Sequence, residues 1–402
     1  MQFNLNNFLF SLSYALDFVE MDILGVASNH SKRVAYIAYK LGGVLGLNQE
    51  ELFDLVSLSI LHDNGASQKV LHDKLQNRGK DKKKALESIK EHCIIGEKNI
   101  YKFPFFTDVK DVIKYHHETY AGMGFFGLDG KEIPLMSQII FLGDTIENKF
   151  NVKGASIQER NVINTFIREN NKILFSPSIS EAFMEISKHS SFWLDLKDEF
   201  INNALDEMVP KYYKELTWEE VRKITSIFSN IIDAKSQFTQ KHSKELAEKI
   251  ALMADYYKKN NEEKMKLMIA ADLHDVGKLA ISNAIIDKPG RLTKEEMNII
   301  QEHAYYTRVS LQQIDEFEDI AKWASNHHEK LDGSGYPYGL KGKELDFNSR
   351  LMTCLDIYQA LTEKRPYREG LTHSESMKVL RNMAKDGLID GNIVEDIDKV
   401  FH

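Results

Sequence analysis

Apolar residues recur along this chain at three- and four-residue intervals. Val34, Ile37, Ala38 and Leu41 share one helical face after His30, and Leu246, Ile250, Met253 and Ala254 do so after His242. The spacing predicts that both histidines sit near helix starts. Thr217 and Glu220 stand at capping-box spacing before Val221, Ile224, Phe228 and Ile231, which predicts another helix. Leu9, Leu12, Leu16 and Val19 occupy matching places, so an equivalent helix is expected at the start of each half. Glu51 to Leu61 and Met265 to Leu273 are apolar on most faces, as in a buried helix delivering the next residues to the centre of a bundle. With 43% hydrophobic and 28% charged residues, and only 22 Gly and 7 Pro in 402 positions, the chain reads as folded and all-α.

The pattern repeats. NHSKRVAYIAYKL from Asn29 is echoed by KHSKELAEKIALM from Lys241, and the offset of 211 or 212 residues persists. His62-Asp63 maps onto His274-Asp275, His92 onto His303, His116-His117 onto His327-His328, and Asp144 onto Asp356. Only His72, His189, His373 and His402 fall outside the two sets. Similarity fades after Asp144, where the first half carries an extra segment from Phe150 to Met208. The boundary is therefore placed near Pro210, giving two tandem helical bundles, 1–209 and 210–402.

A formal charge of -8 supplies no positive field for a nucleic-acid backbone, so polymeric DNA or RNA is disfavoured as a partner. Cys93 and Cys354 form no CxxC pair or framework and read as reduced thiols. The N-terminus lacks a basic n-region and carries Asp17, Glu20 and Asp22. No apolar run reaches the roughly 20 residues of a membrane span. A cytoplasmic location is expected.

Five imidazoles and two carboxylates per half, ordered alike, suit one site gathered from several helices. A lone buried histidine is usually a packing residue, but an ordered set of seven argues for metal. One carboxylate can bridge two divalent ions roughly 3.5–4 Å apart, with an activated hydroxide attacking a phosphodiester that both ions hold. Imidazole and carboxylate donors without thiolate suit Fe, Mn, Co or Zn better than Ca or Mg.

His274-Asp275-Val276-Gly277-Lys278 and His327-His328-Glu329-Lys330-Leu331-Asp332-Gly333-Ser334-Gly335-Tyr336-Pro337 resemble the HD-GYP phosphodiesterases. The likeness runs through Gly339-Leu340-Lys341-Gly342, Asp356 and Arg365-Pro366-Tyr367-Arg368. The first half resembles the broader HD superfamily with a worn loop, His116-His117-Glu118, Gly122-Met123-Gly124-Phe125-Phe126 and Gly127-Leu128-Asp129-Gly130.

The resemblance implies one metal on His242, His274, Asp275 and Asp356 and another on Asp275, His303, His327 and His328, with Asp275 bridging. Phe238 stands where some members have a glutamate for a third metal, so two ions are expected, Fe or Mn first, then Zn, Co or Ni. Lys278 would face a nonbridging phosphate oxygen. Gly333, Gly335 and Pro337 would shape the mouth, with Tyr336 and Arg365 as substrate contacts. A packed aromatic and a structural ion pair are the plainer alternatives for those two. In the first half His30, His62, Asp63, His92, His116, His117 and Asp144 form a second candidate metal site, but Ala66 replaces Lys278 and Phe125-Phe126 replace Tyr336-Pro337. That half is expected to regulate or scaffold, with a homodimer open as the assembly.

The function implied first is hydrolysis of cyclic di-GMP to pGpG or GMP. The alternatives are hydrolysis of 3′,3′-cyclic GMP-AMP, or a nucleotide receptor or interaction protein without turnover. The run Asp81-Lys82-Lys83-Lys84 reads as a solvated helix face or loop.

Overall fold

The computed structural model describes residues 1–24, 29–67, 82–236, 241–288, 290–364 and 369–402. Asp81, His72, Phe238 and Arg365 lie outside them, as do the side chains of Lys82, Lys83 and Lys84. The chain divides into two compact units, Leu16–Tyr212 and Tyr213–His402, the second also containing Met1–Ala15.

The N-terminal unit is built on helices α2 (His30–Val44), α3 (Gln49–Leu61), α4 (Lys82–Ile100) and α5 (Leu135–Lys149). The segment beyond them forms α6 (Ile157–Glu169), α7 (Pro177–Ile186), α8 (Ser190–Asp195) and α9 (Ile201–Met208). Val34, Ile37, Ala38 and Leu41 are buried, as their periodicity predicts. Asn48 opens α3 by accepting the Glu51 amide, while Glu51 accepts the Asn48 amide at 2.8 Å.

The C-terminal unit contains α10 (Trp218–Lys235), α11 (His242–Tyr256), α12 (Asn261–Leu273), α13 (Asn283–Ile286), α14 (Lys294–Leu311), α15 (Glu318–Ser325), α16 (Phe347–Thr362), α17 (His373–Lys385) and α18 (Gly391–Phe401). The capping box expected at Thr217 and Glu220 is present. His30 and His242 are the first residues of α2 and α11, while His62 and His274 directly follow α3 and α12.

The first fifteen residues correct the expected partition. Strand β1 (Gln2–Asn4) pairs antiparallel with β2 (Tyr213–Glu215), the two forming the one sheet among the described residues. Helix α1 (Leu5–Leu24) follows, and Phe8 meets Phe228 edge-on at 5.3 Å and Phe317 at 6.2 Å. Phe3, Leu5, Phe8, Leu9 and Leu12 are fully buried, each contributing about 1.5–3 kcal/mol by leaving water. Leu9 and Leu12 therefore belong to the core of the C-terminal unit, whereas the repeat assigned them to the opening helix of the first half.

Candidate metal centre

In the C-terminal unit the seven expected residues converge from five helices: His242 on α11, His303 on α14 and Asp356 on α16, with His274-Asp275 and His327-His328 just beyond the ends of α12 and α15. His242 Nε2 lies 3.1 Å from Asp356 Oδ1, and His274 Nε2 lies 3.7 Å from the same oxygen. Asp275 stands between two groups: its Oδ2 is 3.3 Å from His274 Nε2, and its Oδ1 is 3.4 Å from His303 Nε2 and 3.8 Å from His327 Nε2. His328 completes the second group with His303 and His327.

The outer ring nitrogens explain this orientation. His274, His303 and His327 each donate Nδ1–H to the carbonyl three residues earlier, Ala271, Ile300 and Ala324, at 2.6–2.8 Å. That fixes the tautomer and leaves the Nε2 lone pairs pointing inward. His303 and His327 then present two lone pairs to each other across 3.3 Å. Asp275 Oδ1 is buried without a hydrogen-bond partner among the described residues. Burial, the largest cause, pushes His303 down to about 4 and His328 down to about 3, so both rings are neutral and their lone pairs are free to ligate. Burial opposes the charges of Asp275 and His242. Yet His274 and Lys278 hold Asp275 well below the usual carboxylate range, and Asp356 and Glu363 push His242 up to about 10. Converging lone pairs around a buried carboxylate are what a divalent cation satisfies, so the donor set fits metal.

Two further features hold this arrangement. Gly277 lets the turn after Asp275 press onto α14, where a Cβ would come within 2.0 Å of the His303 carbonyl oxygen. Glu329, fully buried, accepts the amides of Tyr338 and Leu340 at 2.7 and 2.9 Å and ties the loop to the His327-His328 pair. Gly335 passes so close to the backbone of His328, Glu329 and Lys330 that no side chain fits. Tyr336 lays its ring 4.8 Å from that of His328, and Pro337 follows it at the mouth. Lys278 Nζ rests 2.5 Å from Asp275 Oδ2 with its side chain partly exposed.

The N-terminal unit reproduces much of this. His30 Nε2 is 3.3 Å and His62 Nε2 3.6 Å from Asp144 Oδ1. His92 and His116 lie 3.2 and 3.7 Å from Asp63 Oδ1, and His117 is 3.9 Å from Asp144. Gly65 matches Gly277, with a Cβ position 2.1 Å from the His92 carbonyl oxygen, and Glu118 clamps the amides of Phe126 and Leu128 at 2.8 Å as Glu329 does. The mouth differs: Ala66 is buried, and the ring at the place of Tyr336 is Phe125, 5.9 Å from His117. Where α15 leads to His327, residues 110–117 form turns held by Glu97, which accepts the amides of Asp111, Ile113 and Lys114.

Sequence reasoning missed Glu363, which accepts from His242 Nδ1 at 3.2 Å, and its counterpart Glu147, which accepts from His30 at 2.8 Å and also binds the buried Arg33. These carboxylates lie seven and three residues after Asp356 and Asp144, so a fixed-offset search cannot find them. Cys93, taken as an ordinary thiol, stands among His92, His116 and His117. Its adjacency to a repeated histidine was the available signal.

Comparison with known proteins follows this two-part geometry. The HD-domain family profile matches residues 21–150 and 226–393, one segment in each unit. The 3′3′-cGAMP-specific phosphodiesterase 1 of Vibrio cholerae is 30% identical over 404 residues, covering 98% of this chain and 91% of its own length. A crystal structure of a cyclic GMP-AMP specific phosphodiesterase from the same organism is 25% identical with a TM-score of 0.70, covering 100% of this chain and 98% of that one. The cyclic di-GMP phosphodiesterase response regulator RpfG of Xanthomonas campestris is 33% identical over 164 residues, 40% of this chain and 43% of its own.

Proposed function

The chain belongs to the HD-domain family, and from that premise we propose that it is a metal-dependent phosphodiesterase hydrolysing 3′,3′-cyclic GMP-AMP in its C-terminal unit. The observation that carries this reading is coverage. Two relatives named for the mixed dinucleotide align with nearly the whole chain, and so with both units, whereas the cyclic di-GMP enzyme RpfG aligns with two-fifths of it. The mixed dinucleotide therefore takes precedence over cyclic di-GMP, the substrate that the family resemblance implied first.

His242, His274 and Asp356 would hold one divalent ion and His303, His327 and His328 another, with Asp275 shared between them. Fe or Mn suits these nitrogen and oxygen donors. Ions bound there would supply Lewis acidity toward the phosphate and a nucleophile at neutral pH. The reaction consumes one water: its oxygen bonds to phosphorus, the P–O3′ bond breaks, and a 3′-hydroxyl and a 5′-phosphate remain. Lys278 already lies beside the carboxylate at the centre and partly faces solvent, so its ammonium is placed to turn toward a nonbridging phosphate oxygen as charge builds there. Tyr336, over His328, shields that side of the centre from water and offers its hydroxyl to the substrate. Burial first, then Asp356 and Asp275, push that hydroxyl's pKa up, so it stays a donor.

The N-terminal unit, with Ala66 and Phe125 at these places, serves as scaffold or regulator. Turnover of both dinucleotides by metal-replete protein, followed by chromatography, tests the reading. At least tenfold higher kcat/KM for 3′,3′-cyclic GMP-AMP is expected; preference for cyclic di-GMP, or no turnover of either, would overturn it.

A further inference from the structure

The N-terminal unit also gathers a donor set that its counterpart lacks. Helix α4 carries His92 and Cys93, and the turns before the worn loop carry His116 and His117. One donor atom from each of the four lies within 4.8 Å of the others. Cys93 Sγ is 3.7 Å from His92 Nε2, which is 3.5 Å from His116 Nε2. For an ion held tetrahedrally at roughly 2.0–2.1 Å by imidazole and about 2.3 Å by thiolate, the N–N edge is about 3.3 Å and the N–S edge about 3.6 Å. These two spacings match the edges to within a few tenths of an ångström, and the remaining donor pairs lie within 4.8 Å.

A separate observation points to the same place. Asp63 is 5% exposed, and its Oδ1 has no hydrogen-bond partner among the described residues. That oxygen faces the cluster, 3.2 Å from His92 Nε2 and 3.7 Å from His116 Nε2. Leaving a carboxylate oxygen buried and unanswered is costly, and a cation in the cluster removes the cost.

We propose that the N-terminal unit holds a thiolate-ligated divalent ion of the zinc class, with His92, Cys93, His116 and His117 as ligands and Asp63 Oδ1 beside them. Binding displaces the Cys93 thiol proton to solvent as the S–metal bond forms. The equivalent of Cys93 in the C-terminal unit is the buried Ala304, so the soft donor distinguishes the two centres. Thiolate favours zinc or cobalt over manganese or magnesium. Four protein donors also close a tetrahedral shell, which makes this a structural ion rather than one presenting an open position to substrate.

The test is cobalt spectroscopy on the full-length chain, stripped of metal and reloaded with Co(II) alone. Wild type should show a thiolate-to-cobalt charge-transfer band in the near-ultraviolet. The band should persist in Cys354→Ala and vanish in Cys93→Ala, a change to the residue that this fold accommodates at 304. No band in wild type, or a band that survives Cys93→Ala, overturns the proposal. Should Cys93→Ala fail to fold, Cys354→Ala decides alone, because Cys93 is then the single thiol in the chain: its band supports the site, and the absence of one refutes it.

Discussion

Replacing Gly277 with alanine tests whether the close approach of two backbone segments sets the geometry of the centre. The added Cβ would stand 2.0 Å from the His303 carbonyl oxygen and 2.7 Å from the Thr307 nitrogen, where ordinary contact begins at 3.4 Å. Both neighbours are main-chain atoms of α14, so no side-chain rotation relieves the clash. The turn and the helix must separate by about 1 Å or more, and His303 travels with the helix. Its Nε2 is now 3.4 Å from Asp275 Oδ1 and 3.3 Å from His327 Nε2. Another ångström would take both to about 4.3–4.4 Å, well past the roughly 3.3 Å that separates donors sharing a tetrahedral ion. Overpacking of this kind costs about 1–3 kcal/mol of stability, equivalent to a Tm loss of roughly 2–4 °C per kcal/mol in a unit of about 200 residues. A misplacement of about 1 Å lowers turnover by roughly 10²-fold. Steady-state kcat/KM, metal content by elemental analysis and thermal melts should therefore show a modest Tm shift with a disproportionate loss of turnover and of bound metal. Gly65→Ala is the control, because its Cβ would stand 2.1 Å from the His92 carbonyl oxygen. It should give a similar melt with most turnover kept. Wild-type kcat/KM and metal content in Gly277→Ala would refute the reasoning.

Three further outcomes follow from the same geometry. Lys278→Ala should lower turnover by roughly 10²-fold while retaining metal, since the proposed place of the ammonium is on the phosphate; unchanged turnover removes it from the mechanism, and lost metal makes it a support for Asp275. Asp275→Ala should abolish hydrolysis and Asp63→Ala should spare it, measured as rates on one substrate; equal losses would mean two working sites. Stripping metal with a chelator should lower Tm by several degrees, because ions that bind only the folded centre stabilise it by mass action, and restoring Mn or Fe should reverse the loss. An identical melt before and after stripping would show that the inward-facing nitrogens need no cation.

What was legible in the sequence depended on locality and on register. Apolar spacing located α2 and α11, and the repeat aligned the ten histidines with Asp63, Asp275, Asp144 and Asp356, because equal offsets survive wherever two bundles are built alike. The pairing of Gln2–Asn4 with Tyr213–Glu215 left no such trace. It joins segments some two hundred residues apart and is three residues long, and no period within the first half reports a partner in the second. Glu118 and Glu329 were visible as letters beside the histidine pairs, but a carboxylate turned back onto loop amides is recognisable only once the loop is folded.

The positions that match between the units and those that differ obey different constraints. Gly65 and Gly277 match because a Cβ at either would strike main chain, and Glu118 and Glu329 match because each buried carboxylate answers two loop amides. Either kind of change would be destabilising regardless of what the unit does. The differences include Lys278 against Ala66, Tyr336 against Phe125, Ala304 against Cys93 and Glu245 against Arg33. Of these, the first removes a cation from the place where phosphate would sit. The third adds a donor that is anionic when it binds metal. Arg33 restores little, because it is buried and already bound to Glu147 and Asp198. Relative to the C-terminal unit, the N-terminal one thus gains a thiol donor beside its histidines and lacks the lysine cation at the matching place. Under the proposed thiolate-ligated site, both changes favour holding an ion over binding a phosphodiester.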